Sequence, residues 1–152
     1  MPNLRTKIFR LWFRLSRPMT LGARAIVENA DGEILLVRHT YAKGLFLPGG
    51  GVETGETVHQ TIRKELREEA GLELTEDARQ VRIYSNHRIM HNDHVVLFRV
   101  SAGSWTQTGT PDAREISELV WCHPLKPPAD TTPATKRRLA EAFSGATVSD
   151  HW

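Results

Sequence analysis

The segment from Gly50 to Leu72 constrains this 152-residue chain more than any other. It joins a glycine-rich loop, Leu47-Pro48-Gly49-Gly50-Gly51, to a predicted helix over 57–70. Thr57 and Gln60 have capping-box spacing at the helix start, and Gly71 supplies a stop. At about 100° per residue, Val58, Ile62, Leu66 and Ala70 form a stripe roughly 120° wide that must face a core. On the same wheel Glu69 stands at about 20°, Glu65 at about 340° and Glu68 at about 280°, so the acids border the buried stripe. A solvated helix would place its acids opposite that stripe and alternate them with bases. Carboxylates at i, i+3 and i+4 repel one another unless a cation or protons neutralise them. An oxygen-only set without His or Cys favours Mg²⁺, with Mn²⁺ second, over Zn²⁺. Glu53 and Glu56 bring the glutamates within 50–72 to five. The neighbouring glycines let backbone approach an ion or a phosphate closely.

Residues 50–72 resemble the box of the Nudix hydrolase family. Gly50, Glu56, Glu65, Leu66, Glu68, Glu69, Gly71 and Leu72 fall on its fixed Gly, Glu, Glu, apolar, Glu, Glu, Gly and apolar positions. Lys64 stands where the family has Arg, keeping the charge and losing the bidentate fork. The resemblance implies an α/β fold, an α/β/α sandwich around a mixed β-sheet. It implies Glu65 and Glu69 as primary metal ligands and Glu68 as the next, with Gly50 in the metal-holding loop and Glu56 and Lys64 in support. It also implies a further carboxylate a few residues before a Trp-containing strand. Glu115, ahead of Trp121, is the candidate ligand or base, with Glu118 its competitor.

The expected reaction is Mg²⁺-dependent hydrolysis of a phosphoanhydride bond in a nucleoside diphosphate linked to another group, with metal-activated water as nucleophile. Glu68 or Glu115 would take the proton. Arg38, His39, Tyr41 and Lys43, just before the glycine loop, are candidates to meet phosphates or stack on a base. A polar run from His87 to His94, including Asp93, offers groups for base edges or phosphate. The competing function is a Nudix-fold sensor that binds a nucleotide without hydrolysing it.

The rest of the chain reads as one domain over 19–152 preceded by a basic amphipathic helix over 1–18. In that arm Leu4, Ile8, Leu11, Trp12 and Leu15 recur at helical spacing, and Pro18 ends the pattern. Six of the twenty basic residues precede the first acid, Glu28, so fourteen bases remain against eighteen acids, a net charge of −4. The stripe is expected to pack on the domain or on a second copy in a homodimer. A membrane-surface helix or an organelle-targeting peptide is the second reading, and a nucleic-acid contact the weakest. No apolar run reaches the roughly 18 residues of a membrane span, and the lone Cys122 cannot form an internal bridge, so a cytoplasmic protein with a buried, inert thiol is expected. Alternation from Leu21, with a turn at Asp31-Gly32, predicts a hairpin ending at Arg38. Further strands are expected over 81–85, 95–100 and 118–122, and a last helix from Thr132-Pro133 with Leu139 and Phe143 on one face.

Overall fold

A computed structural model describes residues 4–152, so the first three residues of the expected arm lie outside it. Helix α1 (Leu4–Ser16) stops two residues before Pro18. It is followed by β1 (Thr20–Val27), β2 (Ile34–His39), β3 (Gly49–Gly51), α2 (Val58–Ala70), β4 (Leu72–Leu74) and β5 (Arg79–Ser85). Then come β6 (Asp93–Val100), β7 (Trp105–Gln107), β8 (Ile116–Cys122) and α3 (Pro133–Phe143). A mixed sheet runs β3-β1-β6-β5, with β1 parallel to β6 and the other pairs antiparallel. Antiparallel pairs β2–β8 and β4–β7 complete the framework.

Both faces of the β-layer are covered, and the alternation of side chains along each strand decides which residues go where. Ala23, Ala25 and Val27 join Leu35, Val96 and Phe98 against Ile62, Leu66 and Ala70 of α2. Ile26, Ile34, Leu36 and Leu97 point the other way, into the cluster that holds Leu139 of α3. Each fully buried leucine or isoleucine here contributes roughly 1.5–3 kcal/mol. The expected α/β sandwich is therefore present.

The end signals of α2 act as expected. Thr57 Oγ1 accepts from the Gln60 N–H while the Gln60 side chain accepts from the Thr57 N–H. Gly71 turns left-handed at φ 67°, and its N–H returns to the Arg67 carbonyl.

Three expectations are corrected. The turn at Asp31-Gly32 exists, with Asn29 Oδ1 accepting from the Asp31 and Glu33 amides, but it does not close a hairpin ladder. Both edges of β1 are taken, by β3 and β6, so β2 parts from it after one bridge between Glu28 and Ile34 and pairs with β8. The glycine-rich loop contains a short strand, β3, laid against Gly22–Arg24.

The third correction concerns the arm. No residue of α1 is buried, so its apolar stripe does not pack on this domain. Cys122 is only half-buried, though burial still pushes its thiol pKa up, in keeping with an unreactive group. No helix among the described residues is long and apolar enough to cross a membrane.

Candidate active site

The β1–β3 ladder and α2 form the two walls of the acidic face. Gly49 lies at φ 140°, and a β-carbon there would strike the Ala23 carbonyl, so only glycine allows β3 this close to β1. Gly50 serves the helix side instead. The Glu65 carboxylate fills the space that a β-carbon at Gly50 would occupy.

Glu69 is buried, deeper than its place at the border of the stripe implied, at 4% exposure. Its Oε2 accepts from the Gly49 N–H at 2.7 Å, and its Oε1 lies 3.6 Å from His39 Nε2. Burial raises the Glu69 carboxyl pKa to about 7 against the opposing Gly49 hydrogen bond. Burial also lowers the His39 pKa, with the Arg24 charge adding to it. The imidazole is therefore neutral near pH 7, and the close approach is not an ion pair. Burial raises Glu65 as well; Lys64 and Arg24 pull it down, while Glu68 and Glu115 push it up.

The remaining candidates divide into those near this face and those engaged elsewhere. Glu68 is exposed on the next helical position outward. Glu115 is exposed in the turn before β8, and its charge reaches Glu65, Glu69, His39 and Tyr41. Tyr41 stacks on His39 with ring centroids 4.9 Å apart, and Lys43 is exposed.

Arg38 is paired within the chain, its guanidinium donating to Glu118 at 2.7 Å and to Asp130 at 2.6 Å. That pairing engages Glu118 too. Asp93 is likewise engaged internally. Buried at 4% exposure, it accepts from the Thr20 hydroxyl and the Asn86 amide, tying the 86–93 turn to β1.

Among the described residues Lys64 makes no hydrogen bond or ion pair with Glu65 or Glu69, although its charge lowers Glu65. Its Nζ donates to Glu56 Oε1 at 2.7 Å and lies 3.6 Å from Glu53. Glu56 Oε2 accepts from the Thr61 hydroxyl and the Glu53 N–H. The lysine bond, more than the other two, holds the Glu56 carboxyl below its usual range.

A cavity of about 530 Å³ opens beside the acidic face, lined by Arg24, Phe46, Leu47, Asn86, Thr135 and Trp152 among others. Arg24 belongs to both places. Its Nη1 donates to the Leu47 and Gly49 carbonyls at 3.1 and 2.7 Å, and its charge lowers Glu65 and Glu69. None of these lining residues was proposed from sequence as a binding residue. The one available signal was Arg24 itself, an arginine between Ala23 and Ala25 in an otherwise apolar strand.

The donor chemistry fits a hard divalent cation, although among the described residues no three acidic, imidazole or thiol groups already converge as a coordination set. Among the described residues Glu65 and Glu69 form no ion pair with lysine or arginine; both are held above the usual carboxylate range, and each carries only oxygen donors. Acids held in this way favour an incoming cation.

A mixed-sheet sandwich with a glycine loop, a glutamate-bordered helix and an adjoining cavity defines a class of phosphoanhydride-cleaving enzymes. The NUDIX domain family profile matches residues 18–143. The CTP pyrophosphohydrolase of Escherichia coli is 38% identical over 108 residues, 66% of this chain and 73% of that protein. The 8-oxo-dGTP diphosphatase of Haemophilus influenzae is 30% identical over 104 residues, 65% of this chain and 72% of that protein. The crystal structure of a MutT NUDIX hydrolase from Burkholderia pseudomallei superposes with a TM-score of 0.67 at 25% identity, covering 82% of this chain and 98% of that one. The chain belongs to the Nudix family, as a pyrophosphohydrolase.

Proposed function

We propose that this chain hydrolyses a phosphoanhydride bond in a nucleoside diphosphate linked to a further group, and that a third phosphate is the first choice for that group. Mg²⁺ is the proposed cation, with Mn²⁺ as substitute. The observation that carries the reading is Arg24, which borders both the acidic face and the cavity. A nucleoside in the cavity would run its phosphates past that guanidinium toward Glu65 and Glu69. Two relatives named for action on CTP and 8-oxo-dGTP support a nucleoside triphosphate.

Glu65 and Glu69 would hold the cation, assisted by Glu68 and the Gly50 backbone. Once bound, the ion supplies charge neutralisation on phosphate oxygens and activation of water. The protein's own residues do the rest. Arg24 orients the phosphates, Phe46 and Trp152 offer aromatic surface to the base, and Glu115 accepts the proton of the attacking water. Glu56 and Lys64 keep the loop before α2 in place. Residues 19–152 carry all of these groups, and the 1–18 arm carries none.

The test is a screen of the purified full chain with Mg²⁺ against nucleoside triphosphates, nucleotide sugars, dinucleotides and capped RNA, with products identified. A nucleoside monophosphate and pyrophosphate from a triphosphate are expected. A folded protein that turns over none of these with either ion would end the proposal.

A further inference from the structure

We propose that α1 is an in-plane anchor that seats this enzyme on an anionic lipid bilayer. On a wheel of about 100° per residue, Leu11, Leu4, Leu15, Ile8 and Trp12 run from about 340° through 0° to about 80°. Phe9 and Phe13 extend that face to about 180°, interrupted by Arg5 at about 100° near the helix start. Arg10, Arg14 and Lys7 occupy about 240° to 300°. The seven apolar residues remain 44–73% exposed in the folded chain.

Exposure alone does not say what covers this face, but charge does. The helix contains no acid, and the first acid of the chain is Glu28. A second copy of α1 would bring two sets of like charges together without a carboxylate in either helix to offset them. A nucleic acid would use the bases and leave Leu11, Trp12 and Leu15 in water. An anionic bilayer satisfies both halves, taking the apolar side chains below the headgroups and the arginines among them.

The neighbouring surface continues the same chemistry. Met19 is 64% exposed at the root of the helix, and the Thr20 N–H holds the 86–92 turn through the Asn92 carbonyl at 3.1 Å. That turn carries Arg88 beside Ile89 and Met90, 66% and 49% exposed.

The test is co-sedimentation of the full chain with phosphatidylcholine vesicles, with or without phosphatidylglycerol, alongside sedimentation velocity of the protein alone. Binding is expected only to vesicles containing phosphatidylglycerol, with release as ionic strength rises and a blue shift of Trp fluorescence that Trp12→Leu removes. The pair Arg10→Gln with Arg14→Gln should weaken binding about 30-fold, at about fivefold for each charge. Ile8→Glu with Leu11→Glu should abolish it while the melting temperature and hydrolysis of soluble nucleotide stay unchanged, since both side chains are exposed in the folded chain. Failure to bind these vesicles overturns the proposal. So does a dimer that the glutamate pair dissociates, which would mean a second copy covers the face. Binding to DNA that survives the glutamate pair, without vesicle binding, would make it a nucleic-acid surface.

Discussion

Lys64 Nζ lies 2.7 Å from a Glu56 carboxylate oxygen, and the other oxygen of the same carboxylate accepts from Thr61 on the first turns of α2. This places the one departure from the family box in the loop-to-helix clamp rather than among the acids expected to hold metal. An ammonium suffices for a single bond of this kind, whereas a guanidinium fork is needed only for two-point contact. Lys64→Arg should therefore retain activity. Lys64→Ala should lower kcat by about tenfold, the lower range for residues that orient a metal site from behind its ligands, with little change in melting temperature. Steady-state kinetics with Mg²⁺ decides it. An inactive Lys64→Arg would show that lysine does something specific that this contact does not explain.

Glu69 should make the metal-free protein sensitive to pH. Its carboxyl is raised from 4.5 to about 7 by burial. Between those values the folded state binds more protons than the unfolded state, so stability falls as pH rises from about 4.5 to 7 and levels off above. The full effect is about 3 kcal/mol. His39, shifted downward, acts in the opposite sense below its ordinary value of 6.5. The readout is therefore the difference between wild type and Glu69→Gln, unfolded in chelator across pH 5 to 8. Glu69→Gln should be the more stable at neutral pH, and the gap should close on acidification. Equal stability at all pH values would refute the shift. In Mg²⁺ the same substitution should lower turnover by at least about 100-fold, as loss of a metal-centred charge effect predicts.

Gly49 and Gly50 are adjacent but should fail differently. A β-carbon at Gly50 meets the far end of the Glu65 side chain, which can move away. Gly50→Ala should keep its melting temperature nearly intact while displacing Glu65, with a loss in kcat of about 100-fold. A β-carbon at Gly49 meets the Ala23 backbone at a φ of 140°, and neither strand can yield without breaking the ladder. Gly49→Ala should therefore lose stability and activity together. Thermal melts paired with kinetics separate the two, and an active Gly50→Ala would remove Glu65 from the proposed ligand set.

These contrasts also explain what could be read from sequence. The cap at Thr57, the stop at Gly71 and the stripe of Ile62, Leu66 and Ala70 are local, and local periodicity reports which face of a helix is buried. The separation of β1 from β2 was not readable. Alternation tells which side of a strand faces a core and says nothing of which edge finds a partner. The depth of Glu69 depended on β3, a strand of three glycines with no side chains to announce it. The cavity was least accessible of all, since it gathers Arg24, Phe46, Asn86, Thr135 and Trp152 from distant elements. Arg38 and Asp93 looked available because Glu118, Asp130 and Thr20 are remote from them in sequence and the Asn86 contact depends on how the 86–93 turn folds.

For the general base, open between Glu68 and Glu115 from sequence, Glu115 is the proposed residue. The charge of Glu115 bears on the partly buried Glu65, the buried Glu69, and on His39 and Tyr41. Its backbone is fixed by the Thr40 N–H, which donates to the Glu115 carbonyl at 2.8 Å where β2 ends. Glu68 affects Glu65 alone among the shifted groups and faces solvent. A base must stand within reach of the attacking water, and an exposed carboxylate on an anchored turn is the proposed one. Glu115→Gln should lower kcat by about 100-fold or more, leave KM within a few-fold and flatten the acid limb of the kcat profile. Glu68→Gln should act chiefly on the Mg²⁺ concentration needed for half-maximal rate. The reverse pattern, with Glu115→Gln close to wild type and Glu68→Gln losing its acid limb, would transfer the role to Glu68.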